Sequence, residues 1–325
     1  MFSVNHQKFM EMDELSLQGV PFFFMADFLS ENVEIFKEDE IEKSGLLIDF
    51  QNLKPTIKQD TPSKNIEWKS FPETLESFKK GFDIVQENIH RGNSYLVNYT
   101  RKTKIETNLE LEEIFYHSTA KYKVCYKDFF VFFSPETFVK IIDGKIFTYP
   151  MKGTIEASVE NAAEVLRNDR KEKAEHYTVV DLLRNDLSMV ADDVKVDKFQ
   201  YIDFIKTKQK DLYAMSSEIS GILKPEYEGK IGSIMEKILP AGSILGAPKP
   251  KTLEIILAAE GYERGYYTGV CGWFDGKNLD SCVMIRFIEK EDNELYFKSG
   301  GGITHMSKLE DEYQEMKNKI YVPIH

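Results

Sequence analysis

Lys152 lies in the segment Tyr-Pro-Met-Lys-Gly-Thr, where Pro150 and Gly153 fix the backbone on either side of it. A lysine so placed is a nucleophile if its neighbours or desolvation leave the amine uncharged, and an ordinary solvated cation if they do not. Glu136, in the preceding Ser134-Pro135-Glu136, is either a general acid or base or a turn residue. Near the carboxyl end, Leu309, Tyr313, Met316 and Ile320 recur at helical spacing and leave Glu312 and Glu315 together on a neighbouring face. Two carboxylates on one face suit a hard divalent cation. The pairs Lys308–Glu312 and Glu315–Lys319 equally have the i, i+4 spacing of ordinary surface ion pairs. In AEHYTVVDLLRND, Glu175 is a ligand or a solvated residue and His176 reads as a packed or surface imidazole rather than a catalyst; Asp181, Arg184, Asn185 and Asp186 read as a structural polar network.

Three glycine-rich segments accompany these side chains: Met151-Lys152-Gly153-Thr154, the stretch from Gly242 and Ser243 through Gly246 to Lys249, and Ser299 to Thr304 with Gly300, Gly301 and Gly302. Glycines let a backbone approach a ligand, and successive N–H groups at a turn form a concavity for anions. Only three residues separate Gly242 from Gly246, and Lys249 follows two residues further on, so the stretch is not a nucleotide-binding P-loop.

The elements that must position these residues are legible in part. Ser70 and Glu73 read as a capping box, and Leu75, Phe78, Phe82, Val85 and Ile89 give a helix ending at Gly92. A strand follows through Tyr95, Val97 and Tyr99, then a short helix over 111–119. Residues 124–133 and 137–149 read as strands, the second divided by the hairpin dipeptide Asp143-Gly144. Helices are expected over 158–168, 171–189 and 231–239, and another between Pro248 and a C-cap at Gly261. Residues 269–297 read as a strand meander with a second hairpin at Asp275-Gly276 and alternation through Val283, Ile285 and Phe287. A Gly300–Gly302 loop then leads to a last helix capped by Ser307 and Glu310. Residues 1–69 read as strands and a loop, a short β-rich segment of the same globule. Hairpins interleaved with helices predict an α+β fold of antiparallel sheets rather than a doubly wound parallel one.

At 325 residues the chain suffices for two domains or one large one. Its 42 basic against 54 acidic residues leave a net charge of −12, with no Lys/Arg run, which argues against nucleic acid as a partner. Cys125, Cys271 and Cys282 form no C-x-x-C or metal spacing, so no disulfide is expected. The longest apolar run, 20–26, is too short to cross a membrane, and no leader precedes it, so the expected setting is cytoplasmic.

Together the stretches RGNSYLVNYT, SPETF, YPMKGT, AEHYTVVDLLRNDL, SSEISG, LPAGSILGAPK, ERGYYTGVCGWF, VMIRFI, SGGGIT and EDEYQEMKNK, in order from Arg91 to Lys319, resemble the chorismate-utilising enzymes. That family includes the anthranilate, aminodeoxychorismate, isochorismate and salicylate synthases. The resemblance implies a catalytic domain over 70–325, with large antiparallel sheets packed as a sandwich, helices outside and the active site among the loops and helices between the sheets. The lysine in the Pro-x-Lys-Gly-Thr turn is similar to that of aminodeoxychorismate synthase component I, since anthranilate synthases usually carry alanine there.

By the same resemblance Lys152 is the nucleophile and Glu136 the acid/base carboxylate. Glu175 and Glu315 match carboxylates that hold Mg²⁺, with Glu312 acting through water. Arg286 and Tyr267 match positions that hold the enolpyruvyl carboxylate. Gly153, Thr154, Ser243, Gly246, Gly301 and Gly302 lie in segments that approach the substrate, and Lys317 matches a basic contact. Many members have a histidine where this chain reads Leu212-Tyr213-Ala214-Met215, so Tyr213 is expected to supply that contact. The implied partners are chorismate, ammonia and a separate glutamine amidotransferase subunit. The implied product is 4-amino-4-deoxychorismate, on the way to 4-aminobenzoate and folate. The nearest alternatives are anthranilate synthase component I, then isochorismate or salicylate synthase, and last a relative that binds chorismate without catalysis.

Overall fold

Every side chain of the strand Phe22–Ala26 (FFFMA) is shut away from water. Phe22, Phe24 and Ala26 join one apolar cluster, whereas Phe23 and Met25 join another. A continuous apolar run, rather than alternation, is what a strand covered on both faces requires. The structure, a computed structural model, describes residues 4–50, 53, 65–205 and 211–323, with the side chains of Thr154, Lys171 and Ile205 outside that description.

That strand sits inside the first of two antiparallel sheets. The nine-stranded sheet runs Met151–Glu156, Leu212–Leu223, Lys145–Thr148, Thr137–Ile142, Leu279–Val283, Val270–Phe274, Phe22–Ala26 and Val33–Lys37, with Ala191–Ile205 also paired to Leu212–Leu223. The eight-stranded sheet runs Gly246–Ala247, Leu96–Thr107, Glu294–Ile303, Phe287–Glu291, Phe130–Ser134, Tyr122–Tyr126 and Leu46–Asp49, with Trp68–Phe71 also paired to Leu96–Thr107. Phe23, Met25, Phe130, Phe132, Trp273 and Phe287 form the layer between the sheets. Helices His6–Leu17, Arg170–Val190 and Ile231–Ile238 cover the outside of the first sheet through Phe9, Met12, Leu183, Leu187 and Ile234. Helices Leu75–His90, Leu111–His117, Lys249–Glu260 and Leu309–Asn318 cover the second through Phe78, Ile114, Ile256 and Met316. The chain is thus the antiparallel α+β fold expected from its hairpins, packed as the sandwich with outer helices that the resemblance implies.

Several local expectations differ. Ser70 and Glu73 form no capping box: Ser70 lies in the strand Trp68–Phe71, and the helix starts at Leu75 with Thr74 Oγ1 accepting from Ser77 N at 3.2 Å. Glu73 instead pairs with Arg101. The strand expected over 124–133 is a hairpin, turned at Lys127, whose φ is +50°. The first 69 residues supply strands to both sheets but also the helices His6–Leu17 and Glu38–Ser44, which a β-rich reading omitted. The two strands between 191 and 223 went unread because bulges at Asp192/Lys195, Val196/Lys198 and Lys198/Tyr201 break the period of two. Gly300, Gly301 and Gly302 form strand rather than loop, and a Cβ on Gly300 would stand 2.2 Å from Tyr99 O. The Ser307 and Glu310 box does not form; Lys308 is the N-cap, and Ser307 Oγ accepts from Thr304 N at 3.1 Å. Alternation through Val283 to Phe287 also stops, because Val283 ends a strand of one sheet and Phe287 begins a strand of the other.

Candidate active site

Two short links carry the chain from one sheet to the other. Pro135 and Glu136 join Phe130–Ser134 to Thr137–Ile142, and residues 284–286 join Leu279–Val283 to Phe287–Glu291. They are bonded to each other: Val283 N donates to Glu136 O and Phe133 N to Arg286 O, each at 3.2 Å. Arg286 adopts φ +54°, a left-handed conformation uncommon outside glycine and concentrated at functional sites. Glu136 and Arg286 therefore arrive side by side at a cavity between the sheets, which both line.

Lys152 reaches the same cavity from the edge strand Met151–Glu156. A bulge between Lys152 and Thr154 with Gly153 at φ +73° sets its direction. Its Nζ lies 3.7 Å from where a Cβ on Gly302 would stand, so the amine spans the gap between the sheets. Ser243, in the one-turn helix Gly242–Leu245, donates from Oγ to Glu136 Oε1 at 3.0 Å. That helix is held from behind, where buried Asp186 accepts from Gly242 N at 3.0 Å and pairs with Lys249 at 2.7 Å. Burial pushes the Asp186 carboxyl up, and Lys249 and Gly242 N–H oppose the shift.

Glu136 borders the cavity but is shielded from bulk water. Desolvation raises its carboxyl above the usual range, against the opposing pull of Lys152, the Ser243 hydroxyl and Lys319. A carboxyl of raised pKa beside an amine is the pairing needed to move a proton onto or off a reacting group. Tyr267 is buried against the cavity, its hydroxyl pushed well above its usual range by burial. His176 is fully buried with Nε2 2.7 Å from Ser217 Oγ, and burial, then the charge on Lys152, lowers it to about 4. It is a neutral packed imidazole at physiological pH.

Gly301 and Gly302 line the cavity as well. A Cβ on Gly301 would meet Glu315 Oε1 at 3.0 Å and Glu312 Oε2 at 3.4 Å, so both carboxylates crowd one backbone position. Mg²⁺ is commonly held by one or two carboxylates with substrate and water completing its shell. Glu312 and Glu315 fit that pattern as a pair. Glu175 is nearly buried on Arg170–Val190, yet no group of three His, Cys, Asp or Glu side chains able to hold a metal is present among the described residues.

Other expected contacts also fall elsewhere. Lys317 does not face the cavity; its Nζ lies over the Tyr313 ring at 4.5 Å. Lys319 lines the cavity instead, with Nζ donating to Gly300 O and Glu315 Oε1, both at 2.7 Å. The i, i+4 spacing of Glu315 and Lys319 carried that information but read equally well as a surface pair. Tyr213 packs against Phe204, with ring centroids 5.5 Å apart, away from the cavity. Gly246, at φ +113°, is a close-approach residue whose Cβ would stand 1.8 Å from Leu96 O. Gly153 backs onto Glu172, and Thr154 shares its strand with its side chain outside the described set.

The sequence also left Asn98, Thr268 and Lys298 unread as cavity residues. Asn98 lies opposite Gly302 in the paired strands, and its Oδ1 is buried without a hydrogen-bond partner. Arg264 ties these walls together: it donates to Asn98 O at 2.6 Å and Thr268 Oγ1 at 3.1 Å while chelating Glu260 Oε1 and Oε2 at 2.6 and 2.8 Å. No helix among the described residues is long and apolar enough to cross a membrane. The three cysteines are free and buried.

Comparison with known proteins bears on this arrangement. The profile of the family described as chorismate binding enzyme matches residues 20–325. A Pasteurella multocida protein named an uncharacterized PabA-like protein is 47% identical over 98% of this chain and 99% of its own length. Anthranilate synthase component 1 of Saccharomyces cerevisiae is 36% identical over 58% of this chain and 38% of its own. A solved Bacillus anthracis structure, described as a putative 2,3-dihydroxybenzoate-specific isochorismate synthase, superposes with a TM-score of 0.69 at 20% identity, over 96% of this chain and 86% of that one. At that identity the likeness concerns the fold.

Proposed function

The chain belongs to the chorismate binding enzymes, and on that premise we propose that it is component I of an aminodeoxychorismate synthase, aminating chorismate at C4. The observation that carries this reading is the place of Lys152, whose amine reaches Gly302 across a cavity shared with Glu136 and Arg286. A chain of net charge −12 binds a dianion only where local cations reverse the field. Arg286 and Lys319 border the cavity and supply them.

In this reading the Lys152 amine, as free base, adds to ring carbon C2. The ring double bonds shift and the C4–O bond breaks, Glu136 supplying the proton with which the hydroxyl leaves as water. Ammonia then adds at C4, the double bonds shift back, and the C2–N bond to Lys152 breaks. The ammonium formed at C4 gives its extra proton back to the Glu136 carboxylate, which Ser243 holds in place, and Lys152 leaves as the neutral amine it began as. Arg286 orients a substrate carboxylate. Glu312 and Glu315 would hold Mg²⁺, which when bound supplies Lewis-acid charge withdrawal at the ring carboxylate. Ammonia would come from a separate glutamine amidotransferase subunit.

The test is chromatography of the products formed from chorismate, ammonium and Mg²⁺, with and without an aminodeoxychorismate lyase. Formation of 4-amino-4-deoxychorismate, converted by the lyase to 4-aminobenzoate, supports the proposal. The similarity to a yeast anthranilate synthase component favours a second reading, amination at C2 with pyruvate loss. Fluorescent anthranilate formed without the lyase would select it.

A further inference from the structure

We propose that Tyr321 is a positioning residue for Arg286, which makes the segment following the last helix part of the substrate site. The inference rests on the reading above only in taking a carboxylate of chorismate as the group Arg286 meets. Arg286 lines the cavity and pairs with no carboxylate among the described residues. A guanidinium has five N–H donors in a rigid fork. One nitrogen of Arg286, Nη1, is engaged by Lys319 O at 2.9 Å. The edge left over can take a carboxylate only if the plane of the fork is held.

Tyr321 holds that plane. Its ring centroid lies 4.8 Å from Arg286 Cζ, and its hydroxyl makes no hydrogen bond among the described residues. The ring therefore acts through its face, as a cation–π surface. The segment is itself fixed: Ile320 and Val322 are buried in the core of the second sheet, and Pro323 O accepts from Thr119 N at 2.9 Å. Tyr321 N donates to the same Lys319 carbonyl that engages Arg286, at 3.0 Å. Tyr321 is 42% exposed, so its removal opens no core cavity.

The experiment compares Tyr321→Phe, Tyr321→Leu and Tyr321→Ala in full-length protein by chorismate-dependent steady-state kinetics, thermal unfolding and product chromatography. A partly exposed cation–π contact predicts that KM for chorismate rises about two- to fivefold in the Leu and Ala variants. The Phe variant keeps the wild-type KM, and Tm and kcat change less than KM does. Three results overturn the proposal: a wild-type KM in the Leu variant, a KM in the Phe variant as high as in Leu, or losses of Tm and kcat with KM unmoved. Product chromatography separates this from the reading it builds on, because a product other than 4-amino-4-deoxychorismate sinks that reading while the KM comparison still reports on Arg286.

Discussion

Lys152 and Gly302 belong to different sheets, yet the Lys152 amine lies 3.7 Å from the position a Cβ on Gly302 would take. Gly302 therefore keeps open the space in which the amine meets substrate. An alanine there would also stand 2.9 Å from Leu96 Cδ1, so Leu96 or the strand must shift, and the strand carries the wall that faces the amine. Since displacement of a reacting group by about 1 Å can cost about 100-fold in rate, Gly302→Ala should lower kcat by ten- to a hundredfold. Steady-state assay with a parallel melting curve checks it; unchanged kcat would remove Gly302 from the site.

At Gly301 the same substitution presses on Glu315 and Glu312 rather than on the amine. Disturbing the support of metal ligands typically weakens metal affinity by about 10- to 100-fold. Gly301→Ala should accordingly raise the Mg²⁺ concentration for half-maximal activity at least tenfold, with much of the rate recovered at saturating Mg²⁺. An unaltered Mg²⁺ titration would return the two carboxylates to a purely structural role.

Glu136 predicts opposite effects on stability and rate. Burial raises its carboxyl in the folded protein. A carboxyl raised on folding stabilises the fold below its unfolded pKa, and that contribution is lost as pH rises through the folded value. Glu136→Gln, which cannot ionise, should melt above the wild type at neutral and alkaline pH, the gap closing below about pH 4. Its rate should fall by about 10²- to 10⁴-fold. A Tm gap that widens toward acid would contradict the sign.

Arg264 and Glu260 form a fully buried pair that also holds Asn98 and Thr268 against the cavity. Removing one partner leaves a buried charge uncompensated, at a cost of about 3–5 kcal/mol. Arg264→Met should lower the denaturant midpoint to match, with loss of activity. A change under about 1 kcal/mol would place the pair among ordinary ion pairs.

How far the site was legible follows from how each residue is brought to it. Lys152, Glu136, Ser243, Tyr267 and Arg286 sit in short motifs with their own local signatures, and all five meet at one cavity. Lys319 and Asn98 were missed because their spacing reads equally well as a surface ion pair and a plain strand position. Only the pairing of Asn98 with Gly302 across two distant strands reveals its place. Tyr213 was misjudged for a related reason: its strand pairs with Ala191–Ile205 in a register that sets it opposite Phe204, and its ring packs there. The antiparallel α+β class followed from hairpin dipeptides such as Asp143-Gly144, whose φ values of +48° and +76° are those of a tight hairpin turn, whereas the sandwich packing followed from the family resemblance. The helix His6–Leu17 gave too weak an apolar stripe to be read, and its packing on Ile231–Ile238 settles it.

The central claim is a covalent bond between Lys152 and the substrate ring. Intact-protein mass spectrometry of the enzyme with chorismate and Mg²⁺, without ammonia, tests it directly. The expected result is an adduct of chorismate less one water, mapped to Lys152 by peptide fragmentation, discharged on adding ammonium and absent from Lys152→Ala. An adduct of the same mass persisting in Lys152→Ala, or none under conditions where wild-type enzyme turns over, would contradict the account.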